Sequence, residues 1–181
     1  MELHIVGGHL ALDLVNTVAP RGAGGVPRDY LASPEALVEW ATLAGVVSAP
    51  EAAQTVPSAE ELADVLALRD LADEVLAGRQ LEALTRRWSE AIGRSRLVPG
   101  GLTVGVDATH RIGDRLADAL ADLVRNADLS RLRACPVDEG GCGWLFLDRS
   151  RNLSRKWCTM QDCGTHAKSR RLTERRRSTR G

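Results

Sequence analysis

Between Leu62 and Leu76 the apolar residues Leu62, Val65, Leu66, Leu68, Leu71, Val75 and Leu76 recur with helical periodicity. That spacing gathers side chains on one side of a long α-helix. Ser58 followed by Glu61 predicts a capping box at its start, and Gly78 marks its end. Leu81, Leu84, Trp88 and Ile92 continue at helical spacing, and Ile112, Leu116, Leu120, Leu123 and Val124 predict a further helix from about Thr109 to Asn126. Ser33-Pro34-Glu35 reads as N-cap, first-turn proline and an acid at the positive helix end, with Gly45 as the stop. Elsewhere the period changes. Leu97 to Val106 mixes valine and leucine with glycine and proline and predicts a short hairpin, Leu3 to Val18 reads as a strand or turn entering a helix, and Pro20 to Pro27 is a glycine-rich loop.

Charge divides this chain more sharply than hydropathy does. The 181 residues are formally neutral, with 44% hydrophobic content, enough to bury a core. Residues 1–130 carry 11 Arg, no Lys and 19 acids, a net of −8, whereas residues 131–181 carry 13 basic residues and 5 acids, a net of +8. An acidic body joined to a polyanion-binding end is the expected reading. No apolar run is long enough to span a membrane.

All four cysteines fall in the basic part, as Cys135, Cys142, Cys158 and Cys163, two pairs separated by a hairpin-sized gap. Such pairs can offer four thiolates to one tetrahedral ion, and structural Zn2+ fits better than the alternatives. Two disulfides would need an oxidising compartment, but residues 1–20 have none of the features of a secretory leader, so a cytoplasmic location is expected. The spacing also departs from iron–sulfur patterns. Gly143-Trp144-Leu145-Phe146-Leu147-Asp148 predicts a strand, and Ser150 to Ser154 a turn leading to Arg155-Lys156-Trp157 on a partner strand. Beyond Cys163 the expected helix has Ala167 and Leu172 as its only apolar residues, and a helix so basic cannot be buried. Knuckle, hairpin and basic helix together make a treble-clef-like module.

The run Cys142-Gly143-Trp144-Leu145-Phe146-Leu147-Asp148, then Ser150-Arg151-Asn152, Arg155-Lys156-Trp157-Cys158, Cys163-Gly164, Ala167-Lys168 and Arg170-Arg171, closely resembles the CGNR zinc finger. Leu10-Ala11-Leu12-Asp13-Leu14-Val15-Asn16-Thr17, with Arg21-Gly22 and Ser33-Pro34-Glu35-Ala36-Leu37, resembles the ABATE domain that accompanies that finger. The two resemblances cover nearly the whole chain. They imply a stress-induced bacterial transcriptional regulator whose finger binds DNA. Thr165 and His166 stand where the motif's Asn and Arg would be, so a neutral imidazole replaces a fixed charge. The gap from Cys135 to Cys142 is longer than the family's, and its extra Asp138, Glu139, Gly140 and Gly141 are expected to form a loop that leaves the metal site intact. His166 is a lesser candidate for a ligand in place of one cysteine.

The expected fold is therefore α+β: a mainly helical α/β body with a few short strands over residues 1–130, the zinc module over 131–177, and a basic end at 178–181. Double-stranded DNA is the expected partner, contacted by Arg151, Arg155, Lys156, His166, Lys168, Arg170, Arg171 and Arg175. His9, Asp13, Asn16 and Thr17, near Arg21, could share a helix face and line a pocket for a small-molecule ligand or meet a protein partner, although capping and packing of an N-terminal element is the favoured reading. Arg21-Gly22-Ala23-Gly24-Gly25 lacks the Lys-Ser/Thr ending of a phosphate loop. Two other functional classes compete. A zinc-stabilised protein- or RNA-binding module remains open, while an enzyme is disfavoured because four thiolates leave zinc no catalytic position and no paired carboxylates or nucleophile elbow appear.

Overall fold

The computed structural model describes residues 3–22 and 26–178, with the side chains of residues 171 and 174–178 outside that description. Seven α-helices and three two-stranded antiparallel ladders form it: α1 (Leu10–Val15), β1 (Val18–Ala19), β2 (Arg28–Asp29), α2 (Pro34–Leu43), α3 (Ala49–Gln54), α4 (Ala59–Leu76), α5 (Leu81–Gly93), β3 (Arg96–Val98), β4 (Gly101–Thr103), α6 (Arg111–Asn126), β5 (Leu132–Ala134), β6 (Leu145–Leu147) and α7 (Thr165–Ser178). The ladders pair β1 with β2, β3 with β4, and β5 with β6.

The helical periodicity is realised closely. Ile112, Leu116, Leu120 and Leu123 of α6 are essentially inaccessible and pack with Val65, Leu68 and Val75 of α4 and with Leu12, Leu14 and Val15 of α1. Burying such a side chain contributes about 1.5–3 kcal/mol, so α6 is the hydrophobic axis of the body. Polar anchors fix the helices around it. Asp114 on α6, fully buried, accepts from Arg87 Nη1 at 3.0 Å and Arg94 Nη2 at 2.6 Å, and Arg87 also reaches Asp64 at 2.7 Å. Burial acts upward on the Asp114 carboxyl, but hydrogen bonds from Arg94 and then Arg87 outweigh it and hold the group below the usual carboxylate range.

Two local expectations are corrected. Ser58 Oγ does accept from the amides of Glu60 and Glu61, yet the Glu61 carboxylate does not return to cap α4. It turns into the core and accepts from Ile112 N at 2.8 Å, at the first turn of α6, where free helix amides need acceptors. The reciprocal capping box lies instead at Ser48 and Glu51 and opens α3, a short helix without an apolar stripe to announce it.

The second correction concerns the zinc module. β6 pairs not with residues 155–157 but with β5, upstream of the first cysteine, in the register Leu132↔Leu147, Arg133↔Phe146 and Ala134↔Leu145. The buried Asp148 carboxylate explains why: it accepts from Ser150 N at 2.8 Å and Arg155 N at 3.0 Å, holding the downstream chain in a turn. The long exposed helix expected after Cys163 is present as α7, entered through a π-helical turn at Met160–Gly164. The expected basic end at 178–181 lies, apart from Ser178, outside the described residues.

Candidate metal centre and the basic helix beside it

Each cysteine is delivered by a different local device. Cys135 follows β5 and Cys142 precedes β6, and between them Cys135 N donates to Trp144 O at 2.8 Å while Gly143 N donates to Cys135 O at 3.1 Å, closing a knuckle. Gly143 has φ +78°, and a Cβ there would stand 2.0 Å from Arg21 O. Only glycine permits both the turn and that approach. Cys158 ends the segment after the Asp148 turn, and Cys163 sits in the π-helical turn, where Thr159 Oγ1 accepts from Asp162 N at 3.1 Å.

The four sulfurs are buried and lie within 4.8 Å of one another. Thiolates at about 2.3 Å from a tetrahedral zinc ion stand about 3.8 Å apart; here Cys142 Sγ is 3.4 Å and Cys163 Sγ 3.5 Å from Cys158 Sγ. The donor set fits. The crowded thiols oppose one another's ionisation: hydrogen bonds from Cys142, then Cys158 and Cys163, hold Cys135 far below the ordinary thiol range, while those with Cys135, then Cys142 and Cys163, push Cys158 far above it. A divalent cation removes the conflict by stabilising every thiolate. His166 is exposed and is no member of the cluster.

Residues 131–176 match the model of the CGNR zinc finger, and residues 8–127 match that of ABATE, whose description is "Putative stress-induced transcription regulator". The chain belongs to the ABATE family. No curated protein matches it. Four convergent cysteines within a CGNR finger make this centre a structural zinc site.

The ABATE body and the finger are not separate in space. Trp144 Nε1 donates to Val18 O at 2.9 Å, Leu147 N to Gly7 O at 2.8 Å, Arg149 Nη2 to Gly8 O at 2.5 Å, and Arg21 N to Cys142 O at 2.7 Å. Of the residues expected to surround a pocket, Asn16 and the Arg21 backbone bridge to the finger, and the side chains of the others are held by partners within the body. His9 caps α1 and meets Asp122 at 3.1 Å; Asp13 accepts from Val6 N at 2.9 Å and Gly7 N at 2.7 Å; Asn16 bridges to Leu145. Thr17 Oγ1 donates to Leu14 O and accepts from Arg69, and Arg21 spans Val15 O and Asp73. The body has a different cleft, of about 430 Å³, between Leu3, Tyr30, Trp40 and Leu43. Nothing in the linear pattern joins those positions.

The cations named from sequence are likewise sorted. Arg155 turns inward: Nη2 donates to Val6 O at 3.0 Å and Cys158 O at 2.6 Å, and the guanidinium lies 4.3 Å from the Phe146 ring centroid. It is a clamp of the seam, which sets it apart from the outward cations. Lys156 is half-exposed and paired with Glu139 of the long knuckle loop at 2.5 Å. Arg151, Lys168 and Arg170 are exposed, as is His166, while Ala167 is the anchor of α7 at 2% exposure. Arg171 and Arg175 belong to α7, with side chains outside the described residues.

Proposed function

We propose that this ABATE protein is a cytoplasmic DNA-binding transcriptional regulator of a stress response, in which structural zinc fixes the root of α7 and presents the helix to double-stranded DNA. One observation carries the reading: a helix rich in arginine and lysine projects from the metal site with its described basic side chains, Lys168 and Arg170, exposed. Its self-repulsion is relieved by phosphate, and releasing counterions from DNA supplies affinity. Arg151 and Lys168 hold no hydrogen bond or ion pair among the described residues, which supports their availability. Four free, buried cysteines suit a reducing compartment.

Fluorescence anisotropy of the zinc-loaded protein on random duplex DNA across a salt series tests this. Binding that needs zinc and weakens steeply with salt is expected, with Lys168→Ala and Arg170→Ala each flattening the logarithmic slope by about 0.9. A zinc-loaded protein without affinity for duplex DNA would instead support the protein- or RNA-binding module.

A further inference from the structure

Beside the metal site a cleft of about 570 Å³ runs between the knuckle loop and the start of α7. Its lining includes Gln161, Asp162, Thr165, His166 and Ser169. The side chains of Gln161, His166 and Ser169 make no hydrogen bond among the described residues, although each is a strong donor or acceptor. Asp162 is held at the wall by Thr159 Oγ1 at 2.9 Å and His4 Nε2 at 3.2 Å. Arg170 lies beside Gly140 at the rim, and Lys168 is exposed on the same helix.

We infer that this cleft reads base edges in the DNA major groove, with Gln161 and Ser169 as specificity-determining residues and the surrounding cations as phosphate contacts. The inference rests on the DNA-binding reading and divides its labour. A phosphate subsite would not be walled by a carboxylate, since Asp162 repels an anion. Base edges instead offer alternating donors and acceptors, which an amide, hydroxyls, an imidazole and a carboxylate can match. Gln161 can pair with both adenine N6 and N7, and the Asp162 carboxylate can accept from an exocyclic amine. Charge complementarity selects the occupant: the cleft belongs to the +8 half of the chain, and the exposed Arg170 stands at its rim beside Gly140. Neither Gln161 nor Ser169 follows from the count of basic residues, because phosphate contacts position a protein on DNA and base contacts specify sequence.

Selection of binding sites from random duplexes by the full-length zinc-loaded protein, repeated for Gln161→Met, Ser169→Ala and Arg170→Ala, tests the assignment, with zinc content and circular dichroism verifying each fold. The native protein is expected to select a sequence. Gln161→Met removes the amide without adding charge and should relax the preferred base at one or two adjacent positions, with affinity for the native site falling about 5- to 150-fold and the salt slope unchanged. Ser169→Ala should relax preference at a neighbouring position, whereas Arg170→Ala should weaken all sequences alike. Unchanged preference in both cleft variants, or a native protein that binds every duplex equally, overturns the inference and leaves DNA binding standing. A native protein that binds no duplex at any salt overturns both.

Discussion

Asn16 and Leu145 exchange two hydrogen bonds of 2.8 Å each, Asn16 Nδ2 donating to Leu145 O and Leu145 N donating to Asn16 Oδ1. A side-chain amide thus takes the place of a neighbouring strand along β6, and it joins the ABATE body to the finger through a residue with no measurable exposure. Removing it would leave a part-buried carbonyl and a part-buried amide of Leu145 without these partners, each costing up to about 1–3 kcal/mol. Asn16→Ala is expected to lower the unfolding free energy by roughly 2–4 kcal/mol, measured by urea denaturation. A variant as stable as the parent would show that the seam is dispensable.

The seam also predicts what zinc removal does. Cys158→Ser should abolish zinc binding, and the loss should spread into the body along the contacts from Gly7 to Arg21. Hydrogen exchange is the measurement. The amides of Arg21 and Leu147, which donate to Cys142 O and Gly7 O, should lose protection, while α4 and α6 should keep theirs because their packing does not involve the metal. Protection at Arg21 equal to that of the zinc-loaded protein would refute the coupling.

Gly143→Ala tests the same joint by sterics. The residue would adopt φ +78° with its Cβ against the Arg21 carbonyl, so a left-handed penalty of about 1–2 kcal/mol adds to a backbone collision. Zinc affinity should fall although no ligand has changed, as competition with a chelator would report.

Inside the body, Asp114→Asn removes the charge between Arg87 and Arg94 while nearly conserving shape. Breaking a buried ion pair on one side costs about 3–5 kcal/mol, and Asp114 is completely inaccessible. The melting temperature should drop by many degrees, without loss of bound zinc in the folded protein.

Acid stability follows from carboxylates of opposite behaviour. The hydrogen bond from Arg115, aided by Ser48, lowers Glu51 from 4.5 to about 2. Its folded pKa is depressed, so its contribution is complete above about pH 4.5 and disappears as pH falls through about 2. Asp13 is shifted the other way: burial raises it, outweighing the hydrogen bonds from Gly7 and Val6. Its ionisation is therefore a cost of the folded state at neutral pH, relieved on acidification. Glu51→Gln should flatten the fall in stability between pH 4.5 and 2. Asp13→Asn keeps an oxygen for both amides and should change stability at pH 7 by less than about 1 kcal/mol. Urea titrations across pH measure both.

Much of this protein is written in its linear pattern. The apolar spacing of α4 and α6 declares which face is buried, because helical periodicity and solvent exclusion act locally. The cysteine pairs and the basic stretch beyond them are equally local, and they mark a zinc site with a charged helix beside it. Polar residues were less legible, since a hydrogen bond is determined by what stands opposite. Glu61 had the spacing of a cap but found the amides of α6; Arg155 had the charge of a DNA contact but found carbonyls and the Phe146 face. Residues 155–157 had the length of a strand, yet Asp148 held their entry in a turn and β5 took the edge of β6. His9, Asp13, Asn16, Thr17 and Arg21 drew notice as a polar cluster, and only tertiary packing split them between bridges to the finger, Asn16 and Arg21, and bonds within the body. Sequence alone determined the long helices and the grouping of the four cysteines, because both depend on short-range spacing. The meeting of body and finger was decided by the fold, because partners more than a hundred residues apart become neighbours only when the core closes.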